Sequence, residues 1–476
     1  MTGGATAASP SSTAAPRPTL LGRLGPVAVV LGAGIALRLI VAVVAHGQGE
    51  PDDLATFLSW AQTLATTGPG TFYATADSAN YPPAFMGVLW AIGHLGGGGA
   101  LIKVTAILAD AGIGALLWFA GRRWLGERAG LAAAALYLLV PVTWYDSAIW
   151  GQVDTVVALV MLAGLVALVE GHDETAAGLA GLALLTKPQG LVLLVVLVPV
   201  LVRRRLLARG TGPALPAGPW PGIAERYRRW ATTHVGPIRL GTAAVAFLAV
   251  VALGALPFDI WRFAPAPLAG VPILGQLAGV AGLVTSDAGH YQALTANAYN
   301  VWSLVGDPSL ASVISGGGPD PGWISDALPI VAGIPAVVIG TVLLAATGLL
   351  VAGGLLRRDE RMAVVLGLAL AAFAFYALPT RVHERYLVPF FAPAALLAAV
   401  SWRGAVGYVV LAVLNALNLL GVLHRGGFGP PAGPLLTWVP DLFTHTPVVG
   451  LIAVGQTIAF VVVLSLWVAT LRRRRV

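Results

Sequence analysis

Residues 153–205 read VDTVVALVMLAGLVALVEGHDETAAGLAGLALLTKPQGLVLLVVLVPVLVRRR. Three apolar runs, 153–170, 175–187 and 190–202, are separated by an acidic turn (GHDE, 171–174) and by TKPQG (186–190). Arg203, Arg204, Arg205 and Arg209 close the third run. Runs that approach the roughly 20 apolar residues of a bilayer-crossing helix predict membrane spans. Further runs lie near 24–45, 100–120, 129–143, 238–257, 329–354, 362–379, 386–401, 404–423 and 448–470. The expected fold class is therefore all-α: a polytopic membrane protein of about 12 transmembrane helices.

Composition agrees. Of 476 residues 57% are hydrophobic, and only 10% are charged, where a soluble domain carries about 25%. Such a chain cannot cover a water-facing surface, which excludes a soluble enzyme, a disordered protein and a nucleic-acid binder. The net charge of +7 has a membrane explanation: Lys and Arg sit in short blocks between apolar runs, as the positive-inside rule expects. No cysteine is present, which removes disulfides, thiolate metal sites and a Cys nucleophile.

The basic blocks set the expected topology. With residues 1–19 as a disordered cytoplasmic tail, the blocks 122–128, 203–209, 357–361, Arg403 and 472–475 all fall inside. The loops 46–99, 144–152, 258–328, 380–385 and 424–447 fall outside. Both termini are then cytoplasmic. The apolar piece 81–95 is short for a span and is expected to be re-entrant or interfacial; counted as a span, it would put the blocks from 122 to 209 outside. A second such piece is expected at 264–284. The expected organisation is an N-terminal transmembrane module, 20–202, a cytoplasmic basic linker, 203–237, with an amphipathic piece on the membrane surface, and a C-terminal transmembrane module, 238–476.

Ionisable groups left near the membrane are functional candidates. Asp52 and Asp53 follow the first span, and Asp146, Gln152 and Asp154 lie in WYDSAIWGQVD. Lys187 and Gln189 lie in TKPQG; Arg381, His383, Glu384 and Arg385 lie in TRVHERY. All four groups fall on the outer side of a topology set by other residues. Cations at the outer surface suit a phosphate, and a carboxylate suits a general base. An external site has no nucleotide supply, so a lipid phosphate delivered by the membrane fits best. Arg38 in the first span and Asp110 in the second have open roles.

These motifs resemble the polytopic GT-C glycosyltransferases that use polyprenyl-phosphate sugars. The resemblance is nearest to bacterial proteins similar to the second GPI mannosyltransferase, and more distant to the dolichyl-phosphate-glucose-dependent glucosyltransferases. It rests on Asp53 with Trp60 in DLATFLSW, Tyr81-Pro82-Pro83, Asp146 with Gln152 and Asp154, Lys187-Pro188-Gln189 and His383-Glu384-Arg385, in order along most of the chain. NAYNVW (Asn297 to Trp302) is similar to that branch's Asn-aromatic segment. Arg385 stands where the family has Lys, and Asp154 where one branch has an amide.

The resemblance implies an inverting hexosyltransferase, mannose favoured over glucose, acting on an acceptor hydroxyl at the outer face. It implies Asp53 as general base with Asp52 as the competing base. Arg385, His383, Lys187 and Arg381 would meet the donor phosphate. Asp146, Gln152, Asp154, Gln189, Glu384, Trp60, Tyr81 and Trp150 would contact sugar or acceptor. No metal and no cofactor beyond the lipid co-substrate are expected; the expected partners are a polyprenyl-phosphate hexose, a lipid-linked or glycan acceptor and membrane lipids. The alternative is a transporter or flippase of lipid-linked sugars, which would use the same cations without Asp53 chemistry; transporters usually carry an internal repeat, and none is visible.

Overall fold

The computed structural model describes residues 20–45, 51–76, 79–208, 213, 215, 222–287, 289, 291–305, 324–425 and 448–472, with backbone alone at 20–24, 51, 52, 424 and 425. The expected tail 1–19 and most of the loop 424–447 lie outside these residues. The fold is helical. Among the described residues, six helices are long and apolar enough to cross a membrane: α1 (Leu20–Val44), α4 (Gly99–Leu125), α11 (Ile238–Ala255), α13 (Ala336–Arg357), α16 (Trp402–Arg425) and α17 (Val448–Arg472). A bent pair, α5 (Glu127–Leu139) and α6 (Pro141–Trp150), passes the same test jointly, with a 51° angle at the break. Pro141 lacks the N–H that would continue α5, and so starts a new helix. These helices make the chain a multi-pass membrane protein.

The other expected spans fall on shorter helices. They are α7 (Asp154–Val169), α8 (Asp173–Thr186), α9 (Leu194–Val202), α14 (Arg361–Ala377) and α15 (Val388–Ala398). Short 3-10 turns at Pro188–Leu193 and Glu384–Leu387 precede α9 and α15. Pro188 stands in the turn that separates the runs 175–187 and 190–202, as TKPQG leads one to expect, and Pro389 lies in the first turn of α15. The expected span 329–354 begins late: Pro329–Val331 and Ile334–Pro335 pair as a short antiparallel hairpin, turned by Ala332 and Gly333 at positive φ, and α13 starts at Ala336.

The expected linker also differs. Arg203–Leu207 continues α9 as a wider helical turn. The amphipathic piece is α10 (Gly222–Thr233). The two expected modules share one hydrophobic core, which runs from Ile113 and Leu162 to Phe373, Leu396 and Trp467.

Ion pairs mark one end of the bundle. Arg123 meets Glu170, Arg205 meets Asp173, and Arg239 meets Glu174 and Asp173. Arg203 and Arg204 share Asp359, while Arg358 donates to the Thr470 carbonyl. Burial disfavours the Glu174 carboxylate, but hydrogen bonds from Arg239, Tyr227 and Thr242 outweigh it and hold its pKa down at about 2. Burial likewise opposes ionisation of Asp359, and Arg203 and Arg204 overcome it. The blocks at 122–128, 203–205 and 357–358 thus meet at one end, as their common side in the sequence reading requires.

The opposite end carries α2 (Pro51–Thr67) and α3 (Pro83–His94), packed on each other. Their contact is close: a Cβ on Gly93 would stand 2.2 Å from the Ala61 carbonyl oxygen. Phe57, Trp60, Phe72 and Phe85 form a second core beneath them with Leu184, Leu185 and Phe258. The Asp259 carboxylate accepts from the Tyr73 backbone N–H at 2.9 Å, tying this platform to the start of the segment 258–287. There, α12 (Leu274–Asp287) covers the second half of the expected re-entrant stretch 264–284, whose first half holds a single short turn of helix at Ala266–Ala269.

Candidate active site

The site is built where α2, the turn after α6, the start of α7, the TKPQG turn and the Glu384–Leu387 turn meet. Asp53 lies in the first turn of α2 and is the most open of its acids, with a side chain 30% exposed. Its Oδ2 accepts from Gln152 Nε2 and from Trp150 Nε1, the latter at 3.3 Å. Gly151 between these donors has φ 78°, a left-handed conformation that glycine adopts without a Cβ clash. That turn aims Trp150 and Gln152 at one oxygen.

Asp154, at the first position of α7, is fully buried and accepts from Lys187 Nζ at 2.8 and 2.9 Å and from Gln189 Nε2 at 3.0 Å. Lys187 also lies 4.6 Å from the Tyr386 ring centroid and 5.9 Å from that of Tyr81, distances at which a ring face attracts a cation. Arg385 is 7% exposed. It bonds Glu384 at 2.7 Å, but stands 3.6 Å from Asp53 and 3.7 Å from Asp154. Those two gaps exceed hydrogen-bond length, and Arg385 Nε has no hydrogen-bond partner among the described residues. The same holds for Gln152 Oε1, Gln189 Oε1 and Glu384 Oε2, all buried. Buried polar atoms are rarely left unpaired, so this cluster retains bonding capacity for donors and for an anion.

His383 sits beside Arg385, with Nδ1 3.5 Å from a guanidinium nitrogen and an edge-on contact to Tyr291 at 4.7 Å. Burial pushes the Tyr291 hydroxyl up, against the opposing pull of Arg385.

The structure thus brings together Asp53, Gln152, Asp154, Lys187, Gln189, His383, Glu384 and Arg385. Others stand apart. Arg381, at φ 65°, is paired with Asp326, just before the hairpin that precedes α13, and Thr380 also bonds Asp326. Trp60 is 4% exposed and packed on Phe57, Phe72 and Tyr81, so in this arrangement it supports α2 from below. Tyr81 packs on Phe57 and Phe85 and faces Lys187. Asp146 is fully buried, and neither carboxylate oxygen has a hydrogen-bond partner among the described residues. Asp52 is described as backbone only, so its side chain lies outside the described atoms. In NAYNVW, Asn300 bonds the Tyr376 carbonyl, Trp302 bonds that of Leu378, and the Asn297 carbonyl accepts from Asn418; the segment clamps the outer chain to α14 and α16. Sequence reasoning missed Tyr386 and Tyr291, and treated Trp150 as a sugar platform; its indole N–H on Asp53 is the structural finding. Tyr386 directly follows the His-Glu-Arg motif, the one signal that marked it.

Arg38 and Asp110 join each other at 2.6 Å, both fully buried. Arg38 also donates to the Gly34 and Leu138 carbonyls and to Thr143, and Tyr137 donates to Asp110. This network ties α1, α4, α5 and α6 together. A flank groove of about 530 Å³ between α5, α15 and α16, lined by Leu136, Pro141, Trp402 and Val409 among others, shares no residue with the charged cluster.

Fold and site together define a polytopic, largely helical membrane protein with a cluster of mostly buried acids and bases at one end. No family model matches the chain, and no curated protein matches it. Among solved structures the chain is similar to the Archaeoglobus fulgidus oligosaccharyltransferase in the apo form, at 15% identity and a TM-score of 0.46, over 92% of this chain and 56% of that one. The chain therefore spans little more than half the length of that protein. It is also similar to ArnT from Cupriavidus metallidurans bound to undecaprenyl phosphate, at 17% identity and a TM-score of 0.46, over 93% of this chain and 77% of that one.

Proposed function

We propose that the chain is a GT-C-type inverting glycosyltransferase of the cell membrane, which moves a hexose, mannose in preference to glucose, from a polyprenyl phosphate to an acceptor hydroxyl. The observation that supports this most is a partly exposed carboxylate, Asp53, held 3.6 Å from a buried, under-bonded guanidinium, Arg385. The pair supplies a base and an anion site side by side. In the reaction, Asp53 takes the proton of the acceptor hydroxyl. The acceptor oxygen forms its bond to the anomeric carbon from the face opposite the phosphate. The bond from that carbon to the phosphate oxygen breaks, and the lipid phosphate leaves with the electron pair. Arg385 and His383 stabilise the charge that grows on it.

Gln152 and Gln189 spend their amide N–H groups on carboxylates, which leaves their carbonyl oxygens for sugar hydroxyls. Lys187 acts from its place on Asp154. Asp52 remains the competing base. The site faces outward, with both termini in the cytoplasm and twelve crossings in all, and the donor monophosphate makes a metal unnecessary.

Transfer of radiolabelled hexose from polyprenyl-phosphate mannose and polyprenyl-phosphate glucose tests this. Purified protein would be given a membrane-lipid acceptor extract, with and without chelator. Asp53→Asn is expected to lower turnover by about 10²–10⁴-fold while binding donor as wild type does. Donor binding by wild type and variant alike with no transfer from either donor would sink the enzyme reading in favour of a lipid-sugar transporter.

A further inference from the structure

The next step rests on the donor reading above and adds a condition to it. Charges in the site do not balance. Three carboxylates, Asp53, Asp154 and Glu384, face two cationic side chains, Lys187 and Arg385. Lys187 is already held by both oxygens of Asp154. Arg385 is divided among all three acids. Asp146, buried behind them without a hydrogen-bond partner among the described residues, supplies no positive charge. A phosphate would enter as a further anion where most of the charged groups are buried and ionic screening is weak. Desolvated charges are tolerated when they are compensated.

His383 is placed to correct the deficit. Its Nδ1 lies 3.9 Å from Glu384 Oε2, an oxygen with no hydrogen-bond partner among the described residues, and 3.5 Å from Arg385. Tyr291 and Tyr386 pack on its ring at 4.7 and 5.3 Å. Among the described residues, the remaining charges on this side are Asp53 from α2 and Asp287 from α12, which act on Glu384 and Tyr291. Arg381 is tied to Asp326, and the backbone bridged to His383 belongs to Ala296 and Asn297, which do not titrate. Imidazole is the side chain that gains charge near neutral pH. A neutral ring tolerates Arg385 beside it. Once a phosphate sits on Arg385, an imidazolium gains two anionic neighbours, that phosphate and Glu384.

We infer that a lipid phosphate enters this site together with a proton from solvent, carried by His383 against Glu384. The probe is a short-chain isoprenyl phosphomannose, a phosphodiester whose single charge does not titrate near neutrality. Its binding to the full-length protein in detergent would be measured by calorimetry in two buffers of different protonation enthalpy. Affinity would be followed between about pH 5.5 and 8.5, where imidazole titrates. Wild type is expected to take up about one proton per molecule bound, and to lose about tenfold in affinity per pH unit on the alkaline side. Glu384→Gln removes a negative charge, so it should bind more tightly than wild type at the alkaline end and take up little proton. His383→Gln should bind weakly at every pH, with no uptake. Wild-type binding without proton uptake overturns the inference and leaves the donor reading standing. Uptake that survives in His383→Gln, or weaker alkaline binding by Glu384→Gln, overturns it as well. Absence of binding at every pH overturns the donor reading and this inference with it.

Discussion

Arg38 and Arg385 are both buried arginines, and their surroundings are opposite. Arg38 makes four hydrogen bonds of 2.6 to 3.0 Å, to a carboxylate, a hydroxyl and two carbonyls. Arg385 makes one short bond, to Glu384, and holds two other acids at 3.6 and 3.7 Å. A guanidinium has five donors in a rigid fork. Saturating that fork locks helices together; leaving it under-bonded keeps it available to an anion that accepts through two oxygens. On the proposed reading the difference separates a charge that holds helices together from one that meets the donor phosphate, although both arginines are buried.

The sharpest way to break this contrast is to remove each arginine. Arg38→Ala strands the Asp110 carboxylate, and is expected to destabilise the protein by about 3–5 kcal/mol, read by unfolding in detergent. Replacing both Arg38 and Asp110 by apolar residues should recover most of that loss; failure to recover it would show that the pair does more than cancel its own burial. Arg385→Ala should lower transfer by about 10²–10³-fold, with a smaller stability loss than Arg38→Ala. A larger stability loss at Arg385 would reverse the assignment.

The smallest effect belongs to the basic end. Glu174 has its folded pKa held at about 2, below its ordinary 4.5. Its contribution is therefore complete above pH 4.5 and is lost as pH falls toward 2. Because the residue is part-exposed, the contribution is about 1 kcal/mol after screening. Unfolding temperature should drop between pH 5 and pH 3 more steeply for wild type than for Glu174→Gln, to about this extent; parallel curves would assign the acid sensitivity elsewhere.

Much of this was legible in the sequence, for physical reasons. Charges are expensive in an apolar chain, so Asp53, Asp154, Lys187 and Arg385 stood out without any partner being known. Basic blocks between apolar runs foretold which segments would meet at one end. Other features depend on distant chain. Arg381 looked like a phosphate ligand because its partner, Asp326, lies 55 residues away. Asp146 and Asp154 looked equivalent until Gly151 turned the chain between them and left one sealed and the other bonded. Trp60 and Trp150 are the same residue type near the same surface, yet one fills the core under α2 and the other donates to Asp53. The helix break at Pro141 falls inside the run 129–143, which hydropathy alone reads as continuous.

The Arg38 network also constrains how the chain is made. Arg38 is synthesised 72 residues before Asp110 and 105 residues before Thr143. At about 5–20 residues per second, the first helix waits about 4 to 20 s for the groups that neutralise and cap its guanidinium. During that interval the charge has to remain hydrated, so α1 cannot settle alone in lipid; it commits to the bilayer only with α4, α5 and α6. Stalled chains that end before residue 110 should therefore keep α1 beside the insertion machinery, and chains extended well past residue 143 should release it, which site-specific crosslinking reads directly. Release of α1 from the shorter chains would refute this order of assembly.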